Sequence, residues 1–322
     1  MTRDDVVLVG VDGSDASLHA LDWAVAAALT HGFAVQLVCA YSLPSFTAAS
    51  LDGGYAALDD TAIQAGARAV LAEAQVRAEA RGAKVTTTVA TGDATGVMVE
   101  MSRKVRLAVV GTRGRGGFAD RLLGTVSSAL PAHAHCPTVV VPMRAANREG
   151  DVDLAPPAPI RRIVVGVDGS PASDIALRQA IREAKAWGAQ LSAVAGVPLG
   201  SGAGALAWLP AAVDHEAVLA DVAEGLDVVV DRALVDLPGI EVKRHVLDGT
   251  GTSLLIEFST ATDLIVVGSR GRGGFAGLLL GSTSQAVLHH AACPVMVVTA
   301  KSVAEGQPPH TGRVTDFGDL YP

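Results

Sequence analysis

Val7-Leu-Val-Gly-Val-Asp-Gly-Ser14 returns as Ile163-Val-Val-Gly-Val-Asp-Gly-Ser170, 156 residues further along the chain. Two more stretches repeat in the same order at an offset of 157. Val109-Val-Gly-Thr-Arg-Gly-Arg-Gly-Gly-Phe118 becomes Val266-Val-Gly-Ser-Arg-Gly-Arg-Gly-Gly-Phe275, and Cys136-Pro-Thr-Val-Val-Val141 becomes Cys293-Pro-Val-Met-Val-Val298. Three blocks in constant order with one residue of slippage mean that a whole domain is duplicated, since solenoids and propellers repeat at much shorter periods. The length of 322 residues agrees, at about 150 residues per domain. Domains are expected at 1–143 and 160–300. A linker at 144–159, containing Asn-Arg-Glu-Gly-Asp and Ala-Pro-Pro-Ala-Pro, separates them, and a loose tail at 301–322 follows.

Each half alternates two periodicities. Residues 6–11 form a short continuous apolar run, as a strand buried on both faces requires. Residues 15–30 then carry Leu18, Leu21, Val25, Ala28 and Leu29 at helical spacing. The pattern predicts further strands at 34–40, 85–90, 107–110 and 138–141, with helices at 60–81, 94–103 and 125–133. The second half follows the same course from Arg162 to Thr299, with a glycine-rich loop at 200–204. Alternating strands and helices imply two tandem α/β domains, each with a five-stranded parallel sheet and helices on both faces.

Composition narrows the function. Hydrophobic residues make up 49% of the chain and charged residues 18%, which excludes intrinsic disorder. A net charge of −8 repels phosphate backbones and argues against nucleic acid as a partner. Mean hydropathy is high (+0.37), yet Gly, Pro or charge divides every run before the ~18 apolar residues a membrane span needs. Met1-Thr-Arg-Asp-Asp5 lacks the apolar core of a secretory signal, and Cys39, Cys136 and Cys293 are too few and scattered for a disulfide framework. A cytoplasmic protein with no membrane partner is expected.

Ligands of open parallel sheets settle beyond the carboxyl ends of the strands, where strand order reverses. Asp12 and Asp168 follow the first strand of each half and could accept hydrogen bonds from ribose hydroxyls; Asp12-Gly-Ser14 reads equally well as a turn and helix cap. After the fourth strand come Gly111-Thr-Arg-Gly114, nine residues, and Gly124-Thr125 opening a helix. The counterpart is Gly268-Ser-Arg-Gly271, nine residues, and Gly281-Ser282. Glycines permit close approach of backbone to phosphate, and a helix start offers unpaired N–H groups and partial positive charge. Together they make a cradle for a di- or triphosphate without a lysine. The alternative, glycines kept for flexibility, sits poorly with one spacing appearing twice.

Other motifs are weaker. Gly114-Arg-Gly-Gly-Phe-Ala119 matches a dinucleotide fingerprint but follows the fourth strand instead of the first, and no Walker lysine motif occurs. Arg113, Arg115, Arg270 and Arg272 could turn toward a phosphate or simply be solvated. His133, His135 and Cys136, like His289, His290 and Cys293, lack a complete ligand set and favour capping or packing. Asp4-Asp5 and Asp59-Asp60 read as solvated ends, and no catalytic constellation stands out.

On these residues the chain resembles a tandem universal stress protein. The family motif G-x-x-G-x(9)-G-[ST] stands at Gly111/Gly114/Gly124-Thr125 and at Gly268/Gly271/Gly281-Ser282, with V-G-V-D-G-S and C-P-[TV]-x-V-V beside it. The resemblance implies Rossmann-like domains of the adenine nucleotide alpha hydrolase-like kind, strand order 3-2-1-4-5, and one ATP per domain, with or without Mg. It places Asp12 and Asp168 on the ribose, Ala40 and Gly196 at the adenine, and Val110 and Val267 alongside the nucleoside. Thr125, Ser127, Ser282 and Ser284 fall with the glycines on the phosphates, and Gly10, Val11, Val126, Gly166, Val167 and Thr283 complete the binding set. It also implies pairing of the two fifth strands within the chain and the option of a homodimer. A nucleotide-dependent regulator of stress response or growth arrest (hypoxia or starvation) is expected, not an enzyme. The alternative is a slow ATPase or autophosphorylating enzyme. Two departures leave both cradles complete, so both sites are expected to bind: Arg106 stands where the second half has Asp263, and Thr125 where it has Ser282. Gly196 with the 200–204 segment should loosen the second adenine pocket.

Overall fold

Residues 3–42, 60–112, 123–143, 159–198, 215–271 and 280–302 are described by the computed structural model. The chain divides into two compact units, Met1–Ala158 and Pro159–Pro322. Nearly all of the expected linker and tail, the 200–204 segment, Gly114 and the 114–119 fingerprint lie outside the described residues.

The first unit runs β1 (Asp4–Gly10), α1 (Asp15–His31), β2 (Ala34–Tyr41), α2 (Asp60–Glu79), β3 (Val85–Thr91), α3 (Ala94–Met101), β4 (Val105–Gly111), α4 (Thr125–His133) and β5 (Thr138–Val141). The second runs β6 (Arg162–Gly166), α5 (Pro171–Trp187), β7 (Gln190–Val197), α6 (His215–Asp236), β8 (Val242–Asp248), α7 (Gly251–Phe258), β9 (Leu264–Gly268), α8 (Ser282–His290) and β10 (Val295–Val298). Within the first unit the strands lie parallel in the order β3-β2-β1-β4-β5; within the second, β8-β7-β6-β9-β10. Strand order therefore reverses beside β1 and beside β6, each of which pairs with the strands on both of its sides.

Consecutive residues Val7, Leu8 and Val9 are all fully buried, so β1 is covered on both faces. In the first unit α1 packs on β1, β4 and β5 and against α2, while α3 and α4 pack on each other. Burying a side chain the size of Leu8 contributes roughly 1.5–3 kcal/mol. β1 and β4 start earlier than their apolar runs suggest. The Asp4 amide donates to the Lys104 carbonyl at 2.7 Å, and Arg106 pairs with Asp5 at 3.0 Å, so charged residues continue the ladder where it meets water.

One charged cluster is interior. The Asp22 side chain of α1 is fully buried and receives Arg77 Nε at 2.8 Å, Arg77 Nη2 at 2.7 Å and Arg81 Nη1 at 2.5 Å from α2 and the turn after it. The hydrogen bonds that Arg77 donates to Asp22 hold its guanidinium above its ordinary value. At the repeat offset, the position of Asp22 is taken by Arg178, which binds Asp236 at the end of α6 (2.6 Å) and Asp174 (3.1 Å). The clamp between the first two helices is kept and its polarity inverted.

Cys136 and Cys293 stand buried before the prolines that lead into β5 and β10. Burial pushes the Cys136 thiol up to about 12 and the Cys293 thiol up to about 11. In the unfolded chain these thiols titrate near 9, so the unfolded state loses its protons first and stability falls as pH rises from there toward the folded values. At pH 8 native protein should resist iodoacetamide at all three buried cysteines, and urea-unfolded protein should take up three labels, counted by intact mass. Rapid labelling of Cys136 in the native state would contradict its burial.

Candidate functional site

The turn after β1 is built from Asp12, Gly13 and Ser14. Gly13 has φ +75° and Gly169 φ +78°, a left-handed conformation that a Cβ disfavours. The chain can then reverse, and the Ser14 and Ser170 hydroxyls cap α1 and α5 by accepting from the Ser17 and Ser173 amides, each at 3.2 Å. Asp12 Oδ1 accepts from the Ser14 amide at 3.0 Å and from its hydroxyl at 2.6 Å; Asp168 Oδ1 accepts from the Ser170 amide at 3.0 Å. The turn-and-cap reading thus holds for the serines. The same turn brings the carboxylates to the edge where strand order reverses, Asp12 half-buried and Asp168 exposed.

The glycines after β4 and β9 divide by role. A Cβ on Gly111 would overlap the carbonyl oxygen of Ala16 and lie 2.7 Å from its carbon; on Gly268 it would meet the Ala172 carbonyl at 2.8 Å. These first glycines let the opening turns of α1 and α5 sit directly on β4 and β9. Gly271 faces the site instead: a Cβ there would stand 2.5 Å from Asp168 Oδ2. Gly281 closes the ring, since its Cβ would lie 3.4 Å from both the Gly271 amide nitrogen and Arg270 Cα. Asp168, Gly271, Gly281 and the start of α8 are therefore one cluster, in which a side chain on Gly271 would have to displace the Asp168 carboxylate. In the first unit Asp12, Gly111 and the α4 start at Gly124 occupy the same edge.

Thr125 and Ser282, first residues of their helices, are exposed. The amides of Thr125, Val126 and Ser127, like those of Ser282, Thr283 and Ser284, belong to the opening turn and have no intrahelical acceptor. The Thr283 hydroxyl accepts from Thr252 of α7 at 3.2 Å, a contact that Val126 cannot make in the first unit. Ser127 and Ser284 are buried, with hydroxyls engaged inside the protein. The resemblance expects them on the phosphates; here each hydroxyl binds carbonyls inside the protein, and the Gly-x-x-Ser spacing at a helix start is the sequence signal of that contact. The Ala16 and Ala172 carbonyls, which explain Gly111 and Gly268, leave no such trace in sequence.

Beyond β1 and β6, the Val11 and Val167 amides bridge to the Val38 and Val194 carbonyls at 2.9 Å each. Val11, Val110, Val167 and Val267 are buried core, and Gly10, Ala40, Gly166 and Gly196 are half-buried at the strand ends. The expectation that Gly196 loosens the second pocket is wrong at that residue. A Cβ there would come within 2.7 Å of the Gly249 carbonyl and 2.8 Å of the Gly251 amide, so the β8–α7 turn already fills the space that a methyl would take.

The Arg106/Asp263 departure does not reach the site. Asp263 Oδ2 accepts from the Arg161 and Arg162 amides at 2.8 Å each, at the opposite ends of the strands. His135 and Cys136 lie at the corresponding edge of the first unit, where the His135 amide donates to the Ser102 hydroxyl at 2.9 Å. Among the described residues no group of three or more His, Cys, Asp or Glu could hold a metal, and no helix is long and apolar enough to cross a membrane. Arg270 is exposed; Arg113, Arg115 and Arg272 lie outside the described residues.

A doubly wound α/β domain with a polar edge at its switch point, present twice, is the class these features define. The universal stress protein family matches residues 5–142 and again 159–299, and the chain belongs to that family. Universal stress protein Rv1996 of Mycobacterium tuberculosis is 32% identical, over 90% of this chain and 94% of its own length. Universal stress protein Rv2623 of the same organism is 33% identical, over 90% and 95%. Among solved structures, a universal stress protein from Archaeoglobus fulgidus superposes with TM-score 0.65 at 22% identity, covering 92% of this chain and 98% of that one, a likeness of fold alone.

Proposed function

We propose that each domain binds one ATP at this edge and that the chain acts as a nucleotide-dependent regulator in the stress response, not as an enzyme. The observation that carries the reading is the cluster of Asp168, Gly271, Gly281 and the α8 N-terminus. A carboxylate for ribose hydroxyls stands against a glycine backbone that would collide with any side chain, and beyond it a helix start offers amides to phosphate. Cβ-free backbone on one side and helix amides on the other fit an anionic tail. The described residues present no caged metal site, so Mg, when it accompanies ATP, would ride on the phosphates. ATP would supply charge and a ribose-adenine body; the residues bind and orient it.

The second reading, a slow ATPase or autophosphorylating enzyme, rests on the exposed hydroxyls of Thr125 and Ser282 at the helix starts. Mass analysis of small molecules released from freshly purified, denatured protein should find ATP. Calorimetry should then show Asp168→Ala and Gly271→Ala each weakening one of two ATP sites about tenfold or more, the second by forcing a methyl against Asp168 Oδ2. Unchanged affinity in the double variant would overturn the site; steady ADP release well above buffer would favour the enzyme.

A further inference from the structure

We infer that Ser127 and Ser284 are positioning residues of this phosphate cradle, acting through the backbone and not by touching the nucleotide; the inference rests on the ATP reading above. Each is 2% exposed, at the third position of its helix. Ser127 Oγ donates to the Thr112 carbonyl at 2.8 Å, has the Gly124 carbonyl at 3.1 Å, and accepts from the Gly124 amide at 2.9 Å. Ser284 Oγ reaches the two matching carbonyls, that of Ser269 at 3.2 Å and that of Gly281 at 2.9 Å. A main-chain bond runs beside each hydroxyl, from the Gly124 amide to the Thr112 carbonyl at 2.7 Å and from the Gly281 amide to the Ser269 carbonyl at 2.8 Å.

Thr112 and Ser269 are the residues immediately after β4 and β9, and Gly124 and Gly281 are those immediately before α4 and α8. One buried hydroxyl therefore joins the residue after a strand to the glycine that caps a helix, twelve positions further along the chain. A hydroxyl carries one proton, and here two carbonyls already share it, so none is left for a phosphate oxygen. What the hydroxyl fixes is the separation of the two sides of the cradle: the strand-end side with Arg270 and Gly271, and the helix amides that begin after Gly281. Gly281 rests 3.4 Å (from its would-be Cβ) from the Gly271 amide only while that junction is closed. Bringing chain ends together has an entropic cost that must otherwise be met when the ligand binds.

The test is Ser284→Ala in the full chain, read by amide exchange without nucleotide and by calorimetry with ATP and with adenosine. Faster exchange at the Gly281 amide, unchanged exchange in the β6 and α5 core, ATP weakened about tenfold and adenosine binding unchanged are the expected results. Unchanged Gly281 exchange overturns the junction, as does equal loss of protection throughout the domain. Faster exchange with ATP affinity intact overturns the link to the ligand. A wild-type chain that binds no ATP instead removes the functional reading beneath it, and is recognised before any variant is made.

Discussion

Gly111→Ala should destabilise the first domain by about 3 kcal/mol, while Gly271→Ala in the second should leave stability near that of the wild type. Both glycines belong to the same motif, and their surroundings separate them. The Cβ added at Gly111 would overlap the Ala16 carbonyl and stand 3.1 Å from the Ala16 side chain. Ala16 is buried, as are Ala20, Leu21 and Ala24 behind it, so α1 cannot retreat without opening its contact with β4. At Gly271 the atom in the way is the tip of a carboxylate on an exposed residue, which can rotate. Urea denaturation of the full-length variants, followed by far-UV dichroism, checks the difference. A Gly111→Ala midpoint equal to that of the wild type would show that α1 does not sit on β4 as closely as described. The expected difference would show that a motif read as wholly ligand-directed serves packing at one glycine and not at another.

Asp22→Ala should cost about 3 kcal/mol or more, because breaking a buried ion pair costs roughly 3–5 kcal/mol. The Asp22 carboxylate is fully buried, whereas Arg77 and Arg81 are 24% and 27% exposed and can turn partly to water, which places the effect at the low end of that range. Arg178→Ala, its inverted counterpart, should cost only about 1 kcal/mol: its partners Asp174 and Asp236 are 35% and 40% exposed and regain hydration when released. Denaturant midpoints at constant slope measure both. Equal losses for the two variants would contradict the difference in burial. Inverted polarity thus gives the α1–α2 and α5–α6 pairs less exposed partners of opposite charge, Asp22 in one and Arg178 in the other.

The duplication, the alternation of strands and helices, and the positions of the turns were legible from residues alone. Val7–Val9 and Val164–Val165 are apolar without interruption because both faces of their strands are covered, and local composition reports that directly. Asp12 was legible only as a choice between ribose ligand and turn, and the structure shows that one carboxylate oxygen shapes the turn in either case. The start of β4 at Val105 was hidden, because Arg106 breaks the apolar run while pairing with Asp5 across the sheet.

The linear chain by itself determined that there are two copies of one domain, which segments are strands, and that glycines and hydroxyls gather after the fourth. Those features follow from periodicity and local backbone freedom, which act over a few neighbouring residues. Only the tertiary structure decided which glycine makes room for a helix and which borders Asp168, that Gly196 is filled by the Gly249–Gly251 turn, and that Ser127 and Ser284 face inward. The glycine contacts depend on atoms from distant elements meeting within about 3 Å, and Ser127 reaches the Thr112 carbonyl across the strand-to-helix connection, so no short window of sequence contains both partners.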